Sequence, residues 1–161
     1  MTTAYKTYWE AYGGLKALFR SWYLWLSFVF VLATWPLWSC PDNEGVFSWT
    51  ETALSVTPSM LGFSLGSMAI LLAIGPSTFL KLSQQGGKSS FFMQAIAAFF
   101  HFMLIQIIAI LLTLMVNSWP YGVLSFFGYF FFIYSISCGL AAAAALVDLA
   151  EVKTEADSLD D

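Results

Sequence analysis

Three long stretches of this chain, Ser21 to Pro41, Thr52 to Leu80 and Ser89 to Val147, contain no Lys, Arg, Asp or Glu. About 20 consecutive apolar residues span a bilayer as a helix, so each stretch is long enough to cross a membrane. The third is too long for one crossing and is interrupted at Asn117-Ser118-Trp119-Pro120. Lipid offers no partner to an open backbone, so a membrane-embedded chain of this kind must be helical. The expected fold is therefore an all-α integral membrane protein with four transmembrane helices, at about 21–39, 59–80, 91–116 and 121–147. They form a transmembrane domain over 21–147, preceded by an arm over 1–20 and followed by an acidic tail over 148–161.

Composition supports this reading. Hydrophobic residues make up 59% of the chain and charged ones 10%, so the spans and connectors leave no room for a second, soluble domain. The spans are apolar all round, whereas a soluble helix carries one apolar stripe and one charged face.

The basic residues give an orientation. Lys6, Lys16 and Arg20 lie in the arm, Lys81 and Lys88 between the second and third spans, and Lys153 in the tail. The loops at 40–58 and 117–120 contain none. Lys and Arg resist translocation and acids count for little, so both termini and the middle loop are expected in the cytoplasm, at the inner membrane if the host is bacterial. The net charge of −4 comes largely from the tail and leaves no basic footprint for nucleic acid.

The arm places Tyr5, Tyr8, Trp9, Tyr12, Leu15 and Phe19 at helical spacing with Lys6, Lys16 and Arg20 interspersed. That pattern suits an interfacial amphipathic helix, rings inward and cations toward anionic lipid headgroups, weakened in its middle by Gly13-Gly14. It reads as a collar for the first span, with a switchable membrane sensor as the alternative. Leu37-Trp38-Ser39-Cys40 faintly resembles a bacterial lipoprotein signal, but Trp38 is bulky where such signals are small, and the first span is kept as a true helix. In the outer loop, Asp42, Glu44 and Glu51 match no calcium-loop spacing and read as solvation, while Phe47 and Trp49 dip into the interface. Cys40 at the outer edge and Cys138 about 25 Å deep are too far apart to bridge.

Two faces carry small residues. In span two, read as lying between Pro58 and Pro76, Ser59, Gly62, Gly66, Ala69 and Ala73 fall within about 80° of arc at about 100° per residue. In span four Gly128, Ser135, Gly139 and Ala142 share a face. Small faces let helices approach closely in lipid, so these two are expected to meet.

Span three carries the polar residues: Gln94 and His101 on one face, Gln106 and Thr113 on another about 120–140° away, with Asn117 adjoining. Polar groups at membrane depth point toward protein or water, which makes these five the candidate pore lining or interhelix contacts. His101, the sole histidine, is the one group suited to a proton or gating role; a hydrogen-bonded interhelix contact is the plainer reading.

The chemistry that would mark an enzyme is missing. The spans hold no carboxylate, no Cys-x-x-Cys and no serine with a base at recognisable spacing, and Gln84-Gln85-Gly86-Gly87-Lys88-Ser89-Ser90 lacks the strand and first glycine of a phosphate loop. No catalytic residue, metal or cofactor is expected. The leading expectation is a non-enzymatic homo-oligomer that forms or gates a conduction path. The alternative is a membrane anchor or sensor that recruits a cytosolic partner through the acidic tail. In size and layout alone the chain resembles small four-span membrane subunits of bacterial stress or anti-phage systems.

Overall fold

The computed structural model describes residues 8–10, 12–73 and 91–160. The inner end expected for span two (74–80) and the middle loop with Lys81 and Lys88 lie outside the described residues, as do Tyr5 and Lys6. The described chain is helical, in the order α1 (Gly14–Arg20), α2 (Trp22–Ala33), α3 (Trp35–Ser39), α4 (Trp49–Ala73), α5 (Phe91–Ser118) and α6 (Gly122–Asp160). Three of these helices are long and apolar enough to cross a membrane: Trp49–Ala73, Phe92–Ser118 and Gly122–Asp148.

That is one fewer than the four expected, because the segment 21–39 is divided. α2 has 12 residues, about 18 Å at 1.5 Å per residue, against a hydrocarbon core of about 30 Å. Thr34 interrupts it at φ −104°, ψ 31°, and Pro36 follows in the first turn of α3, where its missing N–H does no harm. The break is tied down locally. Thr34 Oγ1 donates to the Phe30 carbonyl at 2.7 Å, and the Trp38 indole donates across the junction to the Val31 carbonyl at 2.9 Å.

The α5–α6 hairpin turns where the sequence placed it. Pro120 has no N–H to continue α5, and the Tyr121 N–H closes back on the Trp119 carbonyl at 2.8 Å. α6 does not end with the apolar residues: it runs for 39 residues, about 58 Å at 1.5 Å per residue. The expected tail is thus a helical continuation of the last span.

α4 begins at Trp49, ten residues before the expected start, and carries Pro58 inside it. A proline removes one intrahelical hydrogen bond, but the apolar surface upstream holds the helix on: Trp49 and Ala53 are buried in a core with Val31, Phe47, Val116, Tyr129 and Phe132. Phe47 and Trp49 are thus core residues, not loop aromatics resting in the headgroups. A second core, toward the arm, gathers Phe99, Phe102, Ile105, Tyr134, Cys138 and Ala142. Cys138 is buried and Cys40 exposed, and both are free thiols.

The two small-residue faces do not meet. On α6, Gly128, Ser135 and Ala142 are buried, and aromatic rings lie over Gly128 and Gly139. A Cβ on Gly128 would lie 2.8 Å from Cη2 of Trp49, and one on Gly139 would lie 2.9 Å from Cζ of Phe102. On α4, Ser59, Gly62, Gly66, Ala69 and Ala73 are all exposed, and none of the described residues lies within 4 Å of a Cβ built on Gly62 or Gly66. The buried face of α4 is instead Thr50, Ala53, Thr57, Ser64 and Leu71. Dispersion contact scales with the atoms brought together. The glycine face of α6 is therefore filled by the rings of Trp49 and Phe102, not by the backbone of α4.

Candidate functional site

α5 presents its polar residues to different neighbours. His101 is buried between the arm and α6, and both ring nitrogens are engaged: Nδ1 with the Tyr8 hydroxyl at 2.7 Å and Nε2 with the Tyr134 hydroxyl at 3.1 Å. A neutral imidazole offers one acceptor and one N–H, and a phenol can play either part, so the chain Tyr8–His101–Tyr134 is satisfied in either tautomer. The Tyr12 ring stacks on the imidazole at 4.4 Å between centroids, and Tyr8 packs on Phe100 at 4.9 Å. Burial raises the Tyr12 phenol above its ordinary pKa, with Cys138 adding to the effect, so this wall of the site stays neutral.

The arm reaches His101 because its helix is broken. Gly13 and Gly14 have φ of 89° and 68°, a region that L side chains rarely adopt. This turn separates the residues carrying Tyr8 and Tyr12 from α1, where Lys16, Phe19 and Arg20 are exposed. At Tyr8 and Tyr12 the expected collar thus packs into the bundle and does not lie on the headgroups, with Tyr8 only 7% exposed.

Gln106 turns the other way, toward α4. Ser64 Oγ donates to the Met60 carbonyl at 2.7 Å and approaches Gln106 Oε1 at 3.4 Å. Nε2 of Gln106 and Oγ1 of Thr57, both buried, have no hydrogen-bond partner among the described residues. Thr113, also buried, donates back to the Ala109 carbonyl at 2.7 Å, as hydroxyls in helices do. Gln94 and Asn117 are exposed at opposite ends of the helix. The five candidates therefore do not converge on one lining within the chain.

A groove of about 390 Å³ opens beside α4, lined by Ser59, Met60, Phe63, Phe102 and Gly139. It is apolar apart from one hydroxyl and includes none of the five. Among the described residues no three His, Cys, Asp or Glu side chains lie close enough to hold a metal ion.

The sequence reading missed the partners of these polar groups. Spacing makes Tyr8 an interfacial anchor and gives no partner to Tyr134 or Ser64. A phenol well inside an apolar span requires a hydrogen-bond partner, and that signal pointed from Tyr134 to the one imidazole at comparable depth. The same holds for Trp49, whose indole donates to Ser125 Oγ at 3.0 Å.

The chain matches no known protein-family model, no curated protein and no solved structure.

Proposed function

We propose that this is a non-enzymatic membrane anchor and sensor, which crosses the bilayer four times, keeps both termini in the cytoplasm and recruits a soluble partner through the acidic end of α6. The observation that carries this reading is the unbroken helix from the last span through Asp148 to Asp160. A helix that leaves the membrane without a joint presents Asp148 and Glu151, both exposed, in a fixed register to a basic surface. A free tail would have to be ordered at each encounter, at a cost in conformational entropy.

The fourth crossing is assigned to α2 and α3 acting together. Their contacts with α6 form an antiparallel ladder: Ser27 Oγ donates to Ser137 Oγ at 2.9 Å, Thr34 Oγ1 meets the Tyr129 hydroxyl at 3.1 Å, and Trp38 packs edge-on against Phe126 at 5.0 Å. Because α6 is apolar across that depth, the segment beside it belongs in the same layer. The cytoplasmic placement of the termini rests on the distribution of Lys and Arg, which also favours the inner membrane of a bacterial host.

The test is photocrosslinking in the native membrane with a photoreactive residue at Glu151, and with a control at lipid-facing Ile136. A defined partner adduct at Glu151, weakened by salt and lost when 151–161 is deleted, is the expected outcome. Partner recovery unchanged by that deletion would remove the recruiting role.

One observation favours a second reading, a homo-oligomer that forms or gates a conduction path. The face of Ser59, Gly62, Gly66, Ala69 and Ala73 is exposed among the described residues of the single chain, and such faces pack helices closely in lipid. A subunit count on the purified protein, repeated with Gly66→Leu, separates the two: an oligomer dissolved by this change supports the second reading, and a monomer throughout removes it.

A further inference from the structure

We propose that the N-terminal arm is a proton-operated latch: Tyr8 and Tyr12 seat on neutral His101, and a second proton on that ring releases the arm about the Gly13–Gly14 turn. This goes beyond partner recruitment and stands or falls separately from it.

The seat fits one protonation state. The phenols of Tyr8 and Tyr134 occupy both ring nitrogens at 2.7 and 3.1 Å. With one proton on the ring, one nitrogen accepts and the other donates. With two, both nitrogens donate, so the phenol that was donating gives up its bond to the ring and turns its hydrogen elsewhere in the buried seat, Tyr134 toward Tyr12 or Cys138.

The charge finds no counter-ion among the described residues, and the Tyr12 ring stacked at 4.4 Å offers it only a cation–π contact. The titratable groups facing the ring are Tyr8 and Tyr12 from the arm, and Tyr134 with Cys138 behind it from α6. Tyr23 of α2 packs on the same core. On α5 itself Gln94 shares the face but is exposed, and the α4 residues of the adjoining groove are Ser59, Met60 and Phe63. Glu10 is exposed on the arm, and Lys16 and Arg20, exposed on α1, bear the same sign as an imidazolium. Phenols and a thiol stay neutral at ordinary pH, so an imidazolium here would be a buried charge without a counter-ion, an arrangement proteins avoid.

The arm has somewhere else to go. Tyr5, Tyr8, Trp9 and Tyr12 with Lys6 have the composition of a segment at home among anionic headgroups. The two consecutive positive-φ glycines, at 89° and 68°, place a joint between the seated part and α1. Histidine is the side chain whose ordinary pKa, about 6.5, lies in the range where such a switch operates. Below it, each pH unit weakens seating by up to about tenfold, because the released ring binds a proton that the seated ring does not hold.

Hydrogen exchange of the full chain in vesicles with anionic lipid, at pH 7.5 and 5.0 with intrinsic exchange corrected, tests this. In wild type the arm amides are expected to exchange about tenfold or more faster at pH 5.0, with α5 and α6 unchanged; in His101→Gln, whose side chain cannot titrate, arm exchange is independent of pH. Equal arm protection at both pH values in wild type, or a pH response that persists in His101→Gln, overturns the proposal. Should His101→Gln fail to fold, Tyr8→Phe decides: fast arm exchange at both pH values supports the latch, and protection equal to wild type contradicts it.

Discussion

The indole N–H of Trp49 donates to Ser125 Oγ at 3.0 Å, joining the first residue of α4 to the first turn of α6. The same ring lies against Gly128, whose missing side chain makes the space, and against Tyr129 and Phe132 at 5.5 and 6.3 Å between centroids. One side chain thus closes the end of the bundle at which the α5–α6 hairpin turns. Trp49→Phe keeps most of the apolar contact and loses the hydrogen bond, at an expected cost of about 1–2 kcal/mol. Trp49→Ala empties the site as well and is expected to cost about 3–5 kcal/mol. Thermal unfolding in detergent measures both, and equal effects would show that the ring's packing adds nothing beyond the hydrogen bond.

Glycines on the two small faces should respond oppositely. Gly128→Ala places a methyl 2.8 Å from the Trp49 ring, and overpacking of this kind costs about 1–3 kcal/mol. Gly62→Ala and Gly66→Ala meet none of the described residues within 4 Å and remove a flexible residue from a helix, an expected gain of about 0.5–1 kcal/mol. A loss of stability at Gly62 or Gly66 would mean that another surface, such as a second copy, covers that face.

Gln106 is fully buried and its Nε2 has no partner among the described residues. Leaving such a group unsatisfied costs about 1–3 kcal/mol, so Gln106→Leu is expected to raise the midpoint of thermal unfolding. Ser64 keeps its bond to the Met60 carbonyl in that variant. A lowered midpoint would reveal a partner for the amide, a bound water or a neighbouring subunit.

The ladder between α2 and α6 can be tested by cross-linking. With Cys40 and Cys138 replaced by Ala, Ser27→Cys and Ser137→Cys occupy positions whose hydroxyls lie 2.9 Å apart, close enough for a disulfide. Rapid oxidation to an intrachain bond is expected, whereas Val29→Cys, on an exposed part of α2, should not pair with Ser137→Cys. If Ser27→Cys fails to pair, α2 does not lie beside α6 in the membrane. In the wild type, labelling of exposed Cys40 by a membrane-impermeant maleimide added outside intact cells tests the orientation.

Hydropathy and turn chemistry made much of the fold legible. The uncharged run from Ser89 to Val147 and its Asn117–Pro120 break foretold the α5–α6 hairpin to within a few residues. Charge misled at α4: Glu51 and Pro58 read as loop and helix start, while the burial of Trp49 and Ala53 carries the helix outward past both. Helical periodicity showed that Gly62 and Gly66 share a face with Ser59, but not which way that face looks, because a wheel carries no information about the neighbouring helix. For the candidate site, the sequence singled out His101 as the buried titratable group and could not place Tyr8 against it. The two are 93 positions apart, and nothing local to either residue encodes the contact.

Ion and dye flux across liposomes reconstituted with the purified protein, at pH 7.5 and 5.5, is the most direct test of the account. His101 and Thr113 close on local partners and the five polar residues of α5 share no lining within the chain, so the expected result is flux no greater than that of protein-free vesicles at either pH. Unitary currents that change with His101→Ala or Gln106→Leu would contradict the anchor reading and place those residues on a conduction path.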